Sequence, residues 1–429
     1  MRTVVAFPAN ARFAQQVALA FFEANALKYF ATTFTFEETE WGSLLLGRMF
    51  VGRTKGVLRT LRRRTIRDVP KTYLRTDPTL EVIRTVAAKL GVGPILVDRI
   101  WDLESHLYTM RVARRYVPGA DAIYAYEYTA LEAFQRAEAE GVARILDFPS
   151  LNSRKYEMLQ REEKQRFPEL VTCNDAYFNR KFEMRQARRD QEMEAADVII
   201  ANSSLTRQSH IAGGASPDRI FAVPYGAPPA LERLGERAED HIGRLRLLWA
   251  GTFGLRKGAH YLLDAWRMGK LGRVTTLEIF GAITLPSCLV GALPDGVTLH
   301  GSVDQATLFS AFDRSDALIF PTLSDGFGMV VTEALARGLP VITTNQAGAA
   351  DLIVHGKNGL IVEAGDAKAI ADVVMWCLDN RSALQAMRYE ALETARSWQW
   401  SHYRAALRIA VAEGLNRAGY SDQAASLSV

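Results

Sequence analysis

Short uninterrupted apolar runs alternate with stretches of helical period along most of this chain, which predicts strands of a parallel α/β architecture with helices between them. The run Ala317–Phe320 has the length and flanks of a buried strand, and Pro321, having no N–H, ends its ladder. A polar loop follows, closing on Asp325-Gly326-Phe327-Gly328. A helix then carries Val330, Val331, Ala334 and Leu335 at three-and-four spacing, with Gly338 placed to stop it and Pro340 just beyond. Val341 and Ile342 open the next strand. The first half predicts strands over 3–7, 29–36, 122–125, 143–147, 196–201 and 220–224, with helices over 14–26 and 131–141. The charged helices between Tyr156 and Glu194 are expected to cover a sheet face. The second half predicts strands over 245–250, 276–281 and 360–362 and a helix over 306–314. A segment rich in Pro, Gly and charge, 227–243, reads as a linker. The resulting division is 1–226, 227–243, 244–396 and a helical tail 397–429.

At 429 residues the chain is long for one core, and about 150 residues per domain allows two or three. Hydrophobic content of 48% and charged content of 23% are those of an ordinary globular protein. No run of about eighteen apolar residues suggests a membrane-spanning helix. The opening MRTVVAFPAN reads as strand and turn rather than signal peptide. Cys173, Cys288 and Cys377 are widely spaced without C-x-x-C, and the histidines lack metal-ligand spacing; this argues against a disulfide framework or zinc site and fits a reducing cytoplasm.

Net charge is only +4, but between Arg48 and Arg75 ten Lys/Arg stand against one acid, Asp68. Leucines 44–46, Met49, Phe50, Val57, Leu58 and Leu61 are set among them. Three readings of 44–75 stay open: peripheral contact with an anionic membrane, binding of a phosphate-bearing acceptor, or a solvated helical face. No nucleic-acid motif accompanies the charge, so nucleic acid is not an expected partner.

Two stretches carry chemistry. The glycine loop before Met329 opens a helix N-terminus, whose free N–H groups suit an anion. Asp325 precedes that helix and Glu333 lies two turns inside it, on the order of 10 Å away at ~1.5 Å per residue. That separation suits holding two ends of one elongated ligand better than a shared acid–base pair. The plainer alternatives are a turn residue and a solvated helix residue. The second stretch, Gly251-Thr252-Phe253-Gly254-Leu255-Arg256-Lys257-Gly258, follows a strand and places two cations at a helix start. G-x-G-x-x-G, G-K-[ST] and Asp-x-Asp are all missing from the sequence.

An acidic residue, Gly-Phe-Gly, and a glutamate eight positions after the acid resemble the signature of the family 4 retaining glycosyltransferases of GT-B fold. The resemblance is strong over the second half and weak over the first. It implies two Rossmann-like domains facing each other across a cleft, the C-terminal helix crossing back near 397–401. The first domain would take a glycan or lipid-linked acceptor and the second a nucleotide-diphosphate sugar, in bacterial-type polysaccharide or glycoconjugate synthesis. By position, Asp325 would lie near the donor sugar, where the family usually has glutamate, and Glu333 at the ribose. Lys257 would meet the diphosphate with Gly251, Arg256 and the Gly326, Phe327 and Gly328 N–H groups. Thr252 stands where many members have arginine, a charge that Arg256 can supply. Val303 would border the base, and Asp147 would be an acceptor-side catalytic residue or a loop cap. Lys257, Asp325 and Asp147 are thus the catalytic candidates, with no metal and no cofactor beyond the nucleotide sugar. Alternatives are an epimerase or phosphorylase of the same fold, or a non-catalytic nucleotide-sugar-binding protein. A cytoplasmic location, at the inner membrane face for a lipid-linked acceptor, goes with this reading.

Overall fold

The computed structural model describes residues 1–35, 65–66, 68–77, 84, 92–235 and 243–427. Two parallel sheets organise them. The first contains β1 (Thr3–Ala6), β2 (Leu27–Thr32), β3 (Leu74–Thr76), β4 (Ala122–Tyr126), β5 (Ala143–Phe148), β6 (Val198–Ala201) and β7 (Ile220–Ala222), in the order β3-β2-β1-β4-β5-β6-β7. The second contains β8 (Leu245–Ala250), β9 (Thr275–Phe280), β10 (Val297–Gly301), β11 (Ala317–Phe320), β12 (Val341–Thr344) and β13 (Gly359–Val362), in the order β10-β9-β8-β11-β12-β13. Every strand pairing in both is parallel. Val4, Val5, Ile123, Leu247, Leu248, Leu318 and Ile319 are fully buried, as central strands covered on both faces require. In each sheet chain order reverses beside its first strand, β1 or β8, and a crevice opens there at the carboxyl ends.

The tail from Trp398 onward returns to the first sheet. Trp398 Nε1 donates to Pro224 O at 3.0 Å, and Ala227 bridges Gln399. Helix Trp400–Arg417 then lies along helix Arg12–Glu23, with Arg404 Nε and Arg408 Nη1 at 2.8 and 3.0 Å from Glu23.

Three features depart from expectation. Helix Pro94–Arg115 was not legible because its buried face includes Glu104, Ser105 and Thr109, which break the apolar period. The short strand β3 is half-exposed and lacks an apolar run. Helix Ser153–Arg166, expected to lie on a sheet face, instead reaches the second half of the chain: Leu159, Phe167 and Leu170 pack into the core of the second sheet. Most of the basic stretch, Arg48 to Arg64 together with Arg67, lies outside the described residues, as do 236–242 of the expected linker. Of its described part, Arg75 stacks its guanidinium 4.1 Å from the Tyr29 ring centre. No helix among the described residues is long and apolar enough to cross a membrane.

Candidate functional site

The loop after β8 runs from Gly251 through a 3-10 turn, Leu255–Lys257, into helix Ala259–Met268. It is held against the loop after β11: Arg256 O accepts from Leu323 N at 3.0 Å and Thr322 Oγ1 at 3.1 Å. Gly258 makes this approach feasible, since its φ of +74° is left-handed and a Cβ there would sit 2.1 Å from Pro321 O. The two stretches singled out by sequence are thereby brought together.

Lys257, 9% exposed, aims its ammonium at the Asp325 carboxylate in direct contact and lies 4.6 Å from the Phe320 ring centre. Arg256 Nη1 is 3.7 Å from Asp325 Oδ1. Burial, and secondarily the Arg256 charge, drives the Lys257 pKa well below the ordinary lysine value, while the touching carboxylate opposes that shift. Asp325 is fixed by its backbone, donating to Gln346 O at 3.0 Å and accepting from Gly348 N at 2.9 Å.

Helix Met329–Ala336 starts after Gly328 and carries Glu333 half-buried. Burial raises the Glu333 carboxyl to about 7, with the Arg12 guanidinium from the first half acting in the opposite sense. Gly326 and Phe327 face the first half. Gly326 O accepts from Ser203 Oγ at 2.7 Å and Thr206 Oγ1 at 3.0 Å, and a Cβ at 326 would lie 2.6 Å from Pro149 O. Phe327 meets Tyr225 edge-to-face at 5.2 Å.

Between the halves lies a cleft of about 260 Å³, with Phe13, Pro149, Asn202 and Tyr225 on one wall and Gly251, Lys257, Asp325 and Gly328 on the other. Its volume lies just below the roughly 300–1,000 Å³ of small-molecule sites. Outside the cleft, Glu163 on helix Ser153–Arg166 ties them together, accepting from His260 Nε2 at 2.8 Å and Tyr261 Oη at 3.1 Å.

Of the remaining sequence candidates, Gly251 and Thr252 are exposed, Gly251 lining the cleft and Thr252 not, and Val303 is half-buried after β10, away from the cleft lining. Asp147 does not line the cleft. At 1% exposure it is enclosed at the end of β5, behind the residues that line the cleft. The wall made by Phe13, Pro149, Asn202 and Tyr225 was missed. Its signal was positional, since Asn202 directly follows β6 and Tyr225 lies just beyond β7. Among the described residues no three His, Cys, Asp or Glu side chains gather as a metal-ligand set. All three cysteines are free thiols.

Residues 244–380 match the family described as glycosyl transferases group 1. The capsular polysaccharide biosynthesis glycosyltransferase CapM of Staphylococcus aureus is 28% identical over 205 residues, 44% of this chain and 53% of that protein. The chain spans about half the length of the curated relatives it matches. Among solved structures, sucrose-phosphate synthase from Thermosynechococcus elongatus superposes with a TM-score of 0.64 at 17% identity, over 95% of this chain and 97% of that one. Anabaena HepE in complex with UDP and glucose gives a TM-score of 0.59 at 14% identity, over 97% and 100%. Together with the two parallel sheets, these likenesses make the fold GT-B.

Proposed function

We propose that the protein is a retaining, metal-independent glycosyltransferase that moves a sugar from a nucleotide-diphosphate sugar to a hydroxyl of a glycan or lipid-linked acceptor. The observation carrying this reading is the pairing of two cations, Lys257 and Arg256, with the start of helix Met329–Ala336 across one switch-point crevice. A diphosphate leaving group needs its developing charge met as the C1–O bond breaks, and preorganised cations and N–H groups meet it without reorganising. The group 1 match over 244–380 and the naming of CapM as a capsular polysaccharide glycosyltransferase support the same reading. So does the UDP bound to HepE, a protein of this fold.

In this scheme the diphosphate displaces Asp325 from Lys257. The freed carboxylate then turns to hydroxyls of the donor sugar, and Glu333 accepts from the ribose. Gly251 and Thr252 border the phosphates at the mouth, and Val303 lies toward the base. The proton of the incoming hydroxyl passes to the departing phosphate oxygen. The acceptor enters against the wall of Asn202 and Tyr225, and closure of the halves excludes water. A lipid-linked acceptor would bring 44–75 against an anionic membrane surface on the cytoplasmic side.

The test is a panel of nucleotide sugars with and without acceptor glycans, followed by stereochemical analysis of the product and addition of a chelator. Transfer with retention, insensitive to chelator, is expected. Donor consumption without any acceptor would point to an epimerase instead, and absence of both binding and turnover across the panel would remove the enzyme reading.

A further inference from the structure

Behind the cleft wall, the core of the first sheet contains a concentration of unpaired polar atoms. Asp147 accepts from Tyr124 Oη at 2.5 Å through Oδ2, while its Oδ1 is buried and has no partner. The hydroxyls of Tyr126 and Tyr403 are likewise buried without a hydrogen bond, and so is Asn202 Oδ1; the buried Tyr225 hydroxyl has the Asn202 side-chain amide beside it. These residues come from separate elements: Tyr124 and Tyr126 from β4, Asp147 from β5, Tyr225 from beyond β7, and Tyr403 from the returning helix Trp400–Arg417. They nevertheless pack as neighbours, with ring centres 5.7 Å apart for Tyr124 and Tyr126 and 5.6 Å for Tyr225 and Tyr403. Native cores rarely leave even one such group unpaired. Several converging on one carboxylate form the polar surroundings that hold a buried water, which typically makes about three hydrogen bonds.

We infer that Asp147 Oδ1 and the hydroxyls of Tyr126, Tyr225 and Tyr403 enclose ordered water, forming a buried proton-exchange site that reaches the cleft through Tyr225 and Asn202. Tyr225 and Asn202 are the two members that also line the cleft. The tyrosines keep their protons, because burial first and the Asp147 charge second raise the pKa of each well above the ordinary value. Asp147 is the group that exchanges: burial lifts its carboxyl to about 7, against the Tyr124 hydrogen bond, which favours the charged form. The titratable groups that sense its charge are Tyr124 and Tyr126 from β4, Tyr225 from beyond β7 and Tyr403 from the helix, and Tyr124 hydrogen-bonds the carboxyl itself. Arg404, next to Tyr403, is turned to Glu23 and to Gln16, whose Oε1 it meets at 2.6 Å. On ionisation the Asp147 proton passes to the enclosed water and out along the Tyr225–Asn202 side, leaving a carboxylate held by the tyrosyl hydroxyls. The site stands whether or not the cleft transfers a sugar.

The experiment combines a high-resolution crystal structure of the full chain with ¹³C-carboxyl NMR titration of Asp147, assigned by loss of its signal in Asp147→Asn. Expected are ordered water within hydrogen-bond distance of Asp147 Oδ1 and a titration midpoint near 7. In Tyr126→Phe, Tyr225→Phe and Tyr403→Phe, which keep each ring and delete one donor, the midpoint should move up by about one unit. A dry cluster, or a midpoint unmoved in all three variants, would overturn the inference. Neither readout uses a substrate, so failure of the transferase reading would leave them unaffected.

Discussion

Replacing Lys257 by methionine retains the buried stem and deletes the ammonium, separating its two roles. For folding, the loss strips Asp325 of the cation in contact with it but leaves Arg256 3.7 Å away and the Phe327 N–H 3.4 Å from Oδ1. Removing one partner of a fully buried pair costs about 3–5 kcal/mol. The Asp325 side chain, 13% exposed, keeps these neighbours, so about 1–3 kcal/mol is expected, the range for an unsatisfied polar group. For catalysis, losing one preorganised donor at developing charge costs about 2.7–4 kcal/mol, or roughly 10²–10³ in turnover. The double variant Lys257→Met with Asp325→Asn discriminates between the two. With both charges gone no buried ion is stranded, so thermal stability should recover most of its loss while transfer stays depressed. Initial-rate transfer and thermal unfolding, measured on the same preparations, read both effects. Turnover within threefold of wild type in the single variant, or restored by the second substitution, would refute the assignment of Lys257 to the leaving group.

The Glu333 carboxyl, lifted to about 7 from 4.5, makes the folded state bind the extra proton between those values, so this group's contribution to stability declines as pH rises from 4.5 through 7. Glu333→Gln should flatten that dependence in thermal unfolding; it should also weaken nucleoside-diphosphate affinity above pH 7, where the wild-type carboxylate accepts ribose hydroxyls, as calorimetry across pH will reveal. Glu163→Ala leaves the buried His260 Nε2 unmatched, a loss of about 1–3 kcal/mol, while Tyr261 Oη loses one of two bonds and keeps that from Arg166 Nη1 at 2.8 Å. It should lower the melting temperature by several degrees, with Glu163→Gln milder because it keeps an acceptor. Gly326→Ala drives a Cβ to 2.6 Å from Pro149 O and 2.8 Å from Ser150 Cα. Solution scattering should show the halves held apart and transfer should fall; an unchanged scattering profile would remove this contact from closure.

The second half of the chain was legible because its candidate chemistry sits in two compact stretches, each between a largely apolar strand and a helix. Strand β11 was placed at Ala317–Phe320 and β8 at Leu245–Ala250, matching the structure residue for residue. The first half spreads its contribution. Phe13, Pro149, Asn202 and Tyr225 are far apart in sequence, and single residues after strand ends carry no spacing to detect. Asp147 illustrates the limit of local reading: it occupies the strand end where ligands often bind, yet tyrosines from β4, the β7 exit and the C-terminal helix enclose it. Nothing within a few residues of Asp147 announces Tyr403. Helix Pro94–Arg115 escaped for a related reason, because Glu104 on its buried face is matched by Arg84 at 2.9 Å rather than by apolar packing.

The glycine loop of the second half answers two physical demands at once. One is a helix start at Gly328 and Met329 without a side-chain cap, whose backbone N–H groups the proposed reading offers to an anion. The other is contact with the opposite half: Gly326 O receives two side-chain hydroxyls from the segment after β6, and Phe327 abuts Tyr225. The same few residues therefore couple the ligand-facing loop to the seating of the two halves. In the proposed scheme a diphosphate entering between Lys257 and Asp325 would break the ion pair whose carboxylate end belongs to this loop. On the proposed reading, displacing Asp325 would act on Gly326, its next neighbour, and through it on Ser203 and Thr206 of the first half, which hydrogen-bond Gly326 O, so donor binding and closure would share one short mechanical path.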